Sequence, residues 1–267
     1  MIIYLNGELL PAAEARIDPA DRGLTLGDGL FETIRINDGA PLRLAAHLAR
    51  LRHGAKMLAI PLRLTDEALG EAMLKTLKAN SINDGVLRLT LTGGPAPRGL
   101  LSPPATFPTI IIAAFAGTGV TLAPLTAVIA AVTRRNEHSP LSQCKCTNSL
   151  DNILARREAE KRGADEAILL NTAGRLAETT IANLFVVIGG RLVTPPVTEG
   201  ALPGIMRAEI LTIADAEERF LEPEVLDQAS EAFITNSLGI RPLISVDGRP
   251  IGDGRPGPVF KALLNRL

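Results

Sequence analysis

Two dipeptides, Asn6-Gly7 and Asp38-Gly39, each stand between apolar segments and decide how the first forty residues run. Asn-Gly and Asp-Gly supply the left-handed backbone that a two-residue type I′ turn demands, so each predicts a β-hairpin. Helical periodicity then takes over. Leu44, Leu48, Leu51, Ala55 and Leu58 recur at three- and four-residue spacing, which predicts an amphipathic helix over 43–60. Thr65, followed by Asp66 and Glu67, caps a second helix that ends near Asn80. β-Branched runs over 86–92 and 109–116 predict two strands. Strands and helices that come in blocks, rather than in strict alternation, give an α+β class.

Small residues at Ala116-Gly117-Thr118-Gly119 interrupt this pattern. They place an N-terminal domain at 1–116, a linker at 117–124 and a C-terminal domain at 125–267, a division that 267 residues can support. The second half predicts a strand at 127–133, a helix at 149–162, a strand at 166–171 and a hairpin turning at Gly189-Gly190. A helix opening at Pro203-Gly204, a strand at 232–235 and a last helix at 258–267 complete it.

Composition excludes several kinds of function. With 46% hydrophobic and 21% charged residues the chain has an ordinary globular balance, so disorder is excluded. Lys plus Arg number 28 against 29 for Asp plus Glu, and a net charge of -1 leaves no footprint for nucleic acid or an anionic membrane. The longest apolar runs, such as 110–115, fall far short of the ~18 residues of a membrane span. The opening Met1-Ile2-Ile3-Tyr4-Leu5 lacks the basic start of a secretory signal, so a cytoplasmic location is expected. Two cysteines are too few and too close for a disulfide framework, and Tyr4 is the only tyrosine.

Four segments carry candidate chemistry. The first is Cys144-Lys145-Cys146. If it is extended, period-two alternation packs both cysteines on one face and turns the Lys145 amine to the other. A desolvated lysine becomes a nucleophile able to form a Schiff base. An ordinary surface lysine is the plainer alternative, and a Cys-x-Cys zinc site lacks the further ligands it needs. The second is Glu178, entering a strand of apolar and small residues, where burial requires a cationic partner such as a ring nitrogen. A strand-edge glutamate facing water fits that segment equally well. The third is Pro203-Gly204-Ile205-Met206, a helix start whose free N–H groups can hold a phosphate. The fourth is Thr235-Asn236-Ser237-Leu238-Gly239, a strand end that can form a second anion nest.

Taken together these segments resemble the class IV aminotransferase family, the fold-type IV pyridoxal-phosphate enzymes. That family includes branched-chain aminotransferases, D-amino-acid transaminases and aminodeoxychorismate lyases. The likeness runs from Asp21-Arg22-Gly23, Gly27-Asp28-Gly29-Leu30-Phe31-Glu32 and His47-Leu48-Ala49-Arg50 through Lys145, Asp151-Asn152, Glu178 and Ala182-Asn183-Leu184-Phe185 to Gly204-Ile205 and Thr235-Asn236. It implies a small N-terminal α/β domain, a larger C-terminal domain of mixed sheet or barrel with helices, and a homodimer. It implies that Lys145 holds pyridoxal 5'-phosphate covalently and moves a proton, and that Glu178 pairs with the pyridine nitrogen. Arg50, the backbone of Ile205 and Met206, and Thr235 with Asn236 would bind the phosphate; many relatives have threonine where Met206 stands. Phe31, Arg35 and Arg98 would face the substrate.

The branched-chain enzymes have a tyrosine shortly after the lysine, where Asn148-Ser149 stand here. D-Amino-acid enzymes use a tyrosine, an arginine and a histidine where this chain has Phe31, Arg98 and Leu100. The segment Thr92-Gly93-Gly94 to Arg98-Gly99 is more similar to the lyase. The expected reaction is therefore cleavage of 4-amino-4-deoxychorismate to 4-aminobenzoate and pyruvate. Transamination of D- or branched-chain amino acids is the alternative, and a non-catalytic ligand-binding protein the remote one.

Overall fold

The computed structural model describes residues 1–102, 107–117 and 122–267. The chain forms two compact units: Met1–Gly119 with Cys144–Asn148, and Val120–Gln143 with Ser149–Leu267.

In the first unit, β1 (Ile2–Leu5) and β2 (Glu8–Pro11) form the expected hairpin, with Asn6 and Gly7 at φ 51° and 112°. A short helix, α1 (Arg22–Leu26), follows; at five residues it is too brief to show a periodicity. The second hairpin pairs β3 (Gly29–Asn37) with β4 (Ala40–Pro41) across Asp38 and Gly39, both at positive φ. Then come α2 (Leu44–Met57) and α3 (Asp66–Ala79), the latter capped by the Thr65 hydroxyl, which accepts from Ala68 N. The strands β5 (Gly85–Thr92) and β6 (Thr109–Ala116) complete a sheet of order β2-β1-β6-β5-β3-β4.

Alternation along β3 sets the two faces of that sheet. Leu30, Glu32, Ile34 and Ile36 are buried, and Leu48 and Leu51 of α2 and Leu69 and Met73 of α3 share their core. Phe31, Thr33 and Arg35 project from the opposite face and are only half-buried.

In the second unit, β7 (Leu125–Ile129), α4 (Leu150–Lys161), β8 (Glu166–Leu170), β9 (Leu176–Thr179), β10 (Asn183–Ile188) and β11 (Arg191–Thr194) come first. They are followed by α5 (Ile205–Ile213), β12 (Glu217–Glu218), β13 (Glu231–Asn236), β14 (Gly239–Val246), β15 (Arg249–Pro250) and α6 (Pro258–Leu264). The strand order is β12-β11-β10-β13-β14-β7-β8-β9, with β15 on β14. Thr179 N donates to Ala182 O at 2.8 Å, so β9 lies against the start of β10 and the sheet curls toward closure. One face carries Phe185, Val187 and Phe233 under α5 and α6; the other carries Leu184, Val186 and Ile234.

Four expectations shift. The strand expected to reach residue 133 stops at Ile129, because the Glu158 carboxylate accepts from the amides of Ala131 and Val132 and turns the chain away. The final helix ends at Leu264 rather than 267. β14 went unexpected because Pro242 argues against a central strand; β7 begins pairing only at Leu243, so the missing N–H is tolerated. Residues 144–148, expected in a domain spanning 125–267, belong to the first unit. Of the expected linker 117–124, residues 118–121 lie outside the described residues. No described helix is long and apolar enough to cross a membrane.

Candidate active site

Lys145 is delivered by an added edge. Phe31 N donates to Lys145 O and Thr147 N to Gly29 O, both at 2.9 Å, so residues 145–147 run beside β3 on the edge opposite β5. Alternation then acts as the sequence predicts. Cys144 and Cys146 pack against the apolar core, while the Lys145 amine lies 4.5 Å from the centroid of the Phe31 ring on the other face. Cys144 contacts the Met57 sulfur at 3.2 Å, and burial pushes its thiol pKa up, so it acts as a packing residue.

Phe31 has a second cation on its other flank. Register pairs Phe31 with Thr90 and Thr33 with Arg88, and the Arg88 guanidinium lies 3.8 Å from the same ring centroid. Across the sheet the outward row is Arg88, Phe31, Lys145. Partial desolvation lowers the Arg88 pKa, and no carboxylate pairs with it among the described residues. The sequence reading missed Arg88 because only the strand register brings it to Phe31. Arg35 shares the face but sits four residues along β3, about 13 Å from Phe31. Of the two arginines, the fold brings Arg88 and not Arg35 to the ring. Arg98 lies in the exposed loop after β5.

Beneath this row, on the core face, Arg50 meets Glu32. Its Nε donates to Oε1 at 2.8 Å and its Nη2 to Oε2 at 2.6 Å, a bidentate pair, and His47 Nδ1 lies 2.6 Å from Oε2. Burial alone would raise the Glu32 pKa, but the hydrogen bonds from Arg50 and His47 prevail and hold it below the usual carboxylate range. His47 and Arg50, three apart on α2, share a face toward β3. Neither Glu32 nor His47 was assigned a role from sequence.

In the second unit Glu178 is 6% exposed, which excludes the water-facing alternative. Its Oε1 lies 3.1 Å from Arg135 Nε, and its Oε2 accepts from Leu202 N at 2.9 Å. Arg135 also donates to Gly200 O at 2.9 Å. The cationic partner that burial demanded is supplied in part by the protein.

The α5 start and the end of β13 come together. Asn183 pairs with Thr235 across β10 and β13, and a Cβ on Gly204, the residue preceding α5, would collide with Asn183 Oδ1. Asn183, Thr235 and the first turn of α5, with Ile205 and Met206, therefore share one face, and Gly204 offers no side-chain cap. The Met206 side chain is buried in the core, leaving its backbone N–H for any ligand. The Thr235 hydroxyl is buried with no hydrogen-bond partner among the described residues. Asn236 instead closes the β13–β14 turn, its Oδ1 accepting from Leu238 N at 3.0 Å. The expected nest there is a hairpin in which Asn236 pairs with Gly239.

The family model for amino-transferase class IV matches residues 29–246. The chain belongs to the class IV aminotransferases. It is 36% identical, over its full length and 95% of the relative, to the "Putative branched-chain-amino-acid aminotransferase" of Methanocaldococcus jannaschii. A solved Legionella pneumophila "Putative 4-amino-4-deoxychorismate lyase" is 32% identical, with TM-score 0.86 over 96% of each chain. The branched-chain amino acid aminotransferase of T.th., solved with N-(5'-phosphopyridoxyl)-L-glutamate, is 27% identical, with TM-score 0.91 over 99% of this chain and 92% of that one.

The cofactor of this class IV aminotransferase is pyridoxal 5'-phosphate. The residues fit it: an orphaned buried hydroxyl beside an uncapped helix start suits a phosphate, and a buried carboxylate suits a protonated ring nitrogen.

Proposed function

We propose that this class IV aminotransferase cleaves 4-amino-4-deoxychorismate to 4-aminobenzoate and pyruvate. The observation that carries the reading is the row Arg88, Phe31, Lys145, in which a guanidinium without a carboxylate partner among the described residues stands beside a reactive amine. The substrate has an unsaturated ring face for Phe31 and two carboxylates, which Arg88 and Arg98 would meet. Tyr4, the chain's one phenol, stands on β1 and packs against the core of the first unit, away in sequence from the segment after Lys145. This weighs against the tyrosine-dependent enzymes.

Lys145 anchors the cofactor and moves the proton at Nζ, and Glu178 holds the pyridine nitrogen protonated. The N–H groups of Ile205 and Met206 and the Thr235 hydroxyl take the phosphate, with Arg50, oriented by its pair with Glu32, as the cation that would meet it; Asn236 shapes the adjoining turn. Bound pyridoxal phosphate supplies the electron sink for bond breaking at the amino-bearing carbon. The cleavage needs no second substrate: the proton on the amino-bearing ring carbon leaves, the C–O bond to the enolpyruvyl group breaks, the ring aromatises, and the released enolate takes up one proton to become pyruvate. Arg35 is an outlying cation on the same face. We further propose a cytoplasmic homodimer with domains at 1–116 and 125–267, residues 144–148 of the latter packing with the former.

Amino transfer from D- or branched-chain amino acids to a 2-oxo acid is the second reading, favoured by the name of the archaeal relative. Incubation of the holoenzyme with 4-amino-4-deoxychorismate, without any 2-oxo acid, tests the first. Stoichiometric pyruvate and 4-aminobenzoate support it. Their absence, with transfer from D-alanine or isoleucine to 2-oxoglutarate, moves the assignment to the second.

A further inference from the structure

Around Arg98 the described residues of its loop pack little of their own. Leu100 and Leu101, which follow it, are 82% and 90% exposed, so neither side chain anchors the segment. Its first residues are tied through backbone, with Ala96 N donating to Ala20 O and Pro95 bridged to Asp21. Directly beyond Arg98, at Gly99 and Leu100, the described tie is the Arg22 side chain. Arg22, 6% exposed, donates from Nη1 to Gly99 O at 3.1 Å and from Nη2 to Leu100 O at 2.7 Å. Its Nε donates to Asp28 Oδ2 at 2.7 Å, which orients the guanidinium and balances its charge.

The site that receives Arg22 is itself built. Asp21 caps α1 through Gly23 N and accepts from the hydroxyls of Thr92 and Thr109, which fixes the backbone from which Arg22 projects. Gly99, at φ 147°, takes a backbone that favours glycine, and its carbonyl and that of Leu100 both reach the one guanidinium. A rigid planar fork spreads its donors over three nitrogens and meets two successive carbonyls and a carboxylate in fixed directions; an ammonium's three donors leave one nitrogen and do not span that arrangement.

We propose that Arg22 is a positioning residue that fixes the loop and thereby the place from which Arg98 meets the substrate carboxylate. The inference rests on the reading of Arg98 as a carboxylate ligand. Arg22→Lys keeps the charge beside Asp28 and loses the fork. Trypsin cleavage after Arg98, followed by peptide mass, reports the loop whatever the reaction is. KM is read with 4-amino-4-deoxychorismate, or with D-alanine and 2-oxoglutarate if transfer is the activity.

In Arg22→Lys we expect cleavage after Arg98 to accelerate about tenfold and KM to rise about tenfold with kcat within about twofold. The double variant Arg22→Lys/Arg98→Ala should bind no worse than Arg98→Ala alone, because the two act through one contact. Should Arg22→Lys not fold, Asp28→Asn, which keeps an oxygen for Nε and removes the counter-charge, should give smaller changes in the same directions. Unchanged cleavage or unchanged KM in the folded variant overturns the clamp. If Arg98→Ala itself leaves KM unchanged, the carboxylate reading fails and the inference falls with it, a result distinct from an intact loop.

Discussion

At the scale of single residues, the orphaned Thr235 hydroxyl makes a prediction with two opposite signs. A buried hydroxyl without a partner costs about 1–3 kcal/mol. Thr235→Val keeps the shape and removes that cost, so the cofactor-free protein should melt at a higher temperature than the natural one. The same variant should bind pyridoxal phosphate more weakly in a fluorescence titration, since a phosphate contact is gone. A change of the same sign in both would mean that the hydroxyl does not face the phosphate. Residues of this kind were legible in sequence only where local geometry decides orientation. Lys145 was, because alternation in a short extended segment puts it opposite two apolar cysteines. Glu178 was half legible: that it needs a cation follows from its surroundings, but Arg135 comes from a distant part of the chain. Arg88 was not legible, since its meeting with Phe31 depends on the pairing of β3 with β5.

At the scale of elements, caps and turns were the readable part, and they can be tested. Thr65→Ala removes the hydroxyl that caps α3 and should lower unfolding stability by about 1 kcal/mol in a denaturant titration. A second element test uses acid. Glu137 accepts from the backbone N–H and hydroxyl of Thr172 and tethers the segment leading to Lys145. Burial alone would raise its pKa; its own and the Thr172 amides, the Thr172 hydroxyl and His138 prevail and bring it down to about 2. Because the folded value lies below the ordinary 4.5, the tether stabilises above that pH and is lost as pH falls toward 2. Glu137→Gln should therefore flatten the acid limb of a melting-temperature profile between those values; an unchanged limb would exclude the tether. Elements escaped the reading where the local signal conflicts with the tertiary solution. A five-residue helix shows no period, Pro242 argues against the strand that contains it, and the early end of β7 depends on a carboxylate from α4.

At the scale of the whole molecule, the amine and the buried carboxylate belong to separately packed units, Lys145 in the first and Glu178 in the second. Borohydride treatment of the holoenzyme should fix the cofactor to the peptide containing Lys145. Lys145→Ala should abolish that label while the protein stays folded, since residues 145–147 are held to β3 through backbone hydrogen bonds that the substitution leaves in place. Label on another lysine would reassign the anchor. The two-part division was readable from the small residues near 116–119, but the return of residues 144–148 to the first unit was not, because only tertiary pairing reveals it. That return also orders events during synthesis. A nascent chain that has emerged only as far as residue 117 has the sheet of the first unit but leaves the Gly29–Phe31 edge of β3 unpaired, an exposed template for another chain. The edge closes only when residue 148 clears the ribosome, and the strand that closes it brings the reactive amine, so the chain acquires its anchoring group in the same step that ends this exposure.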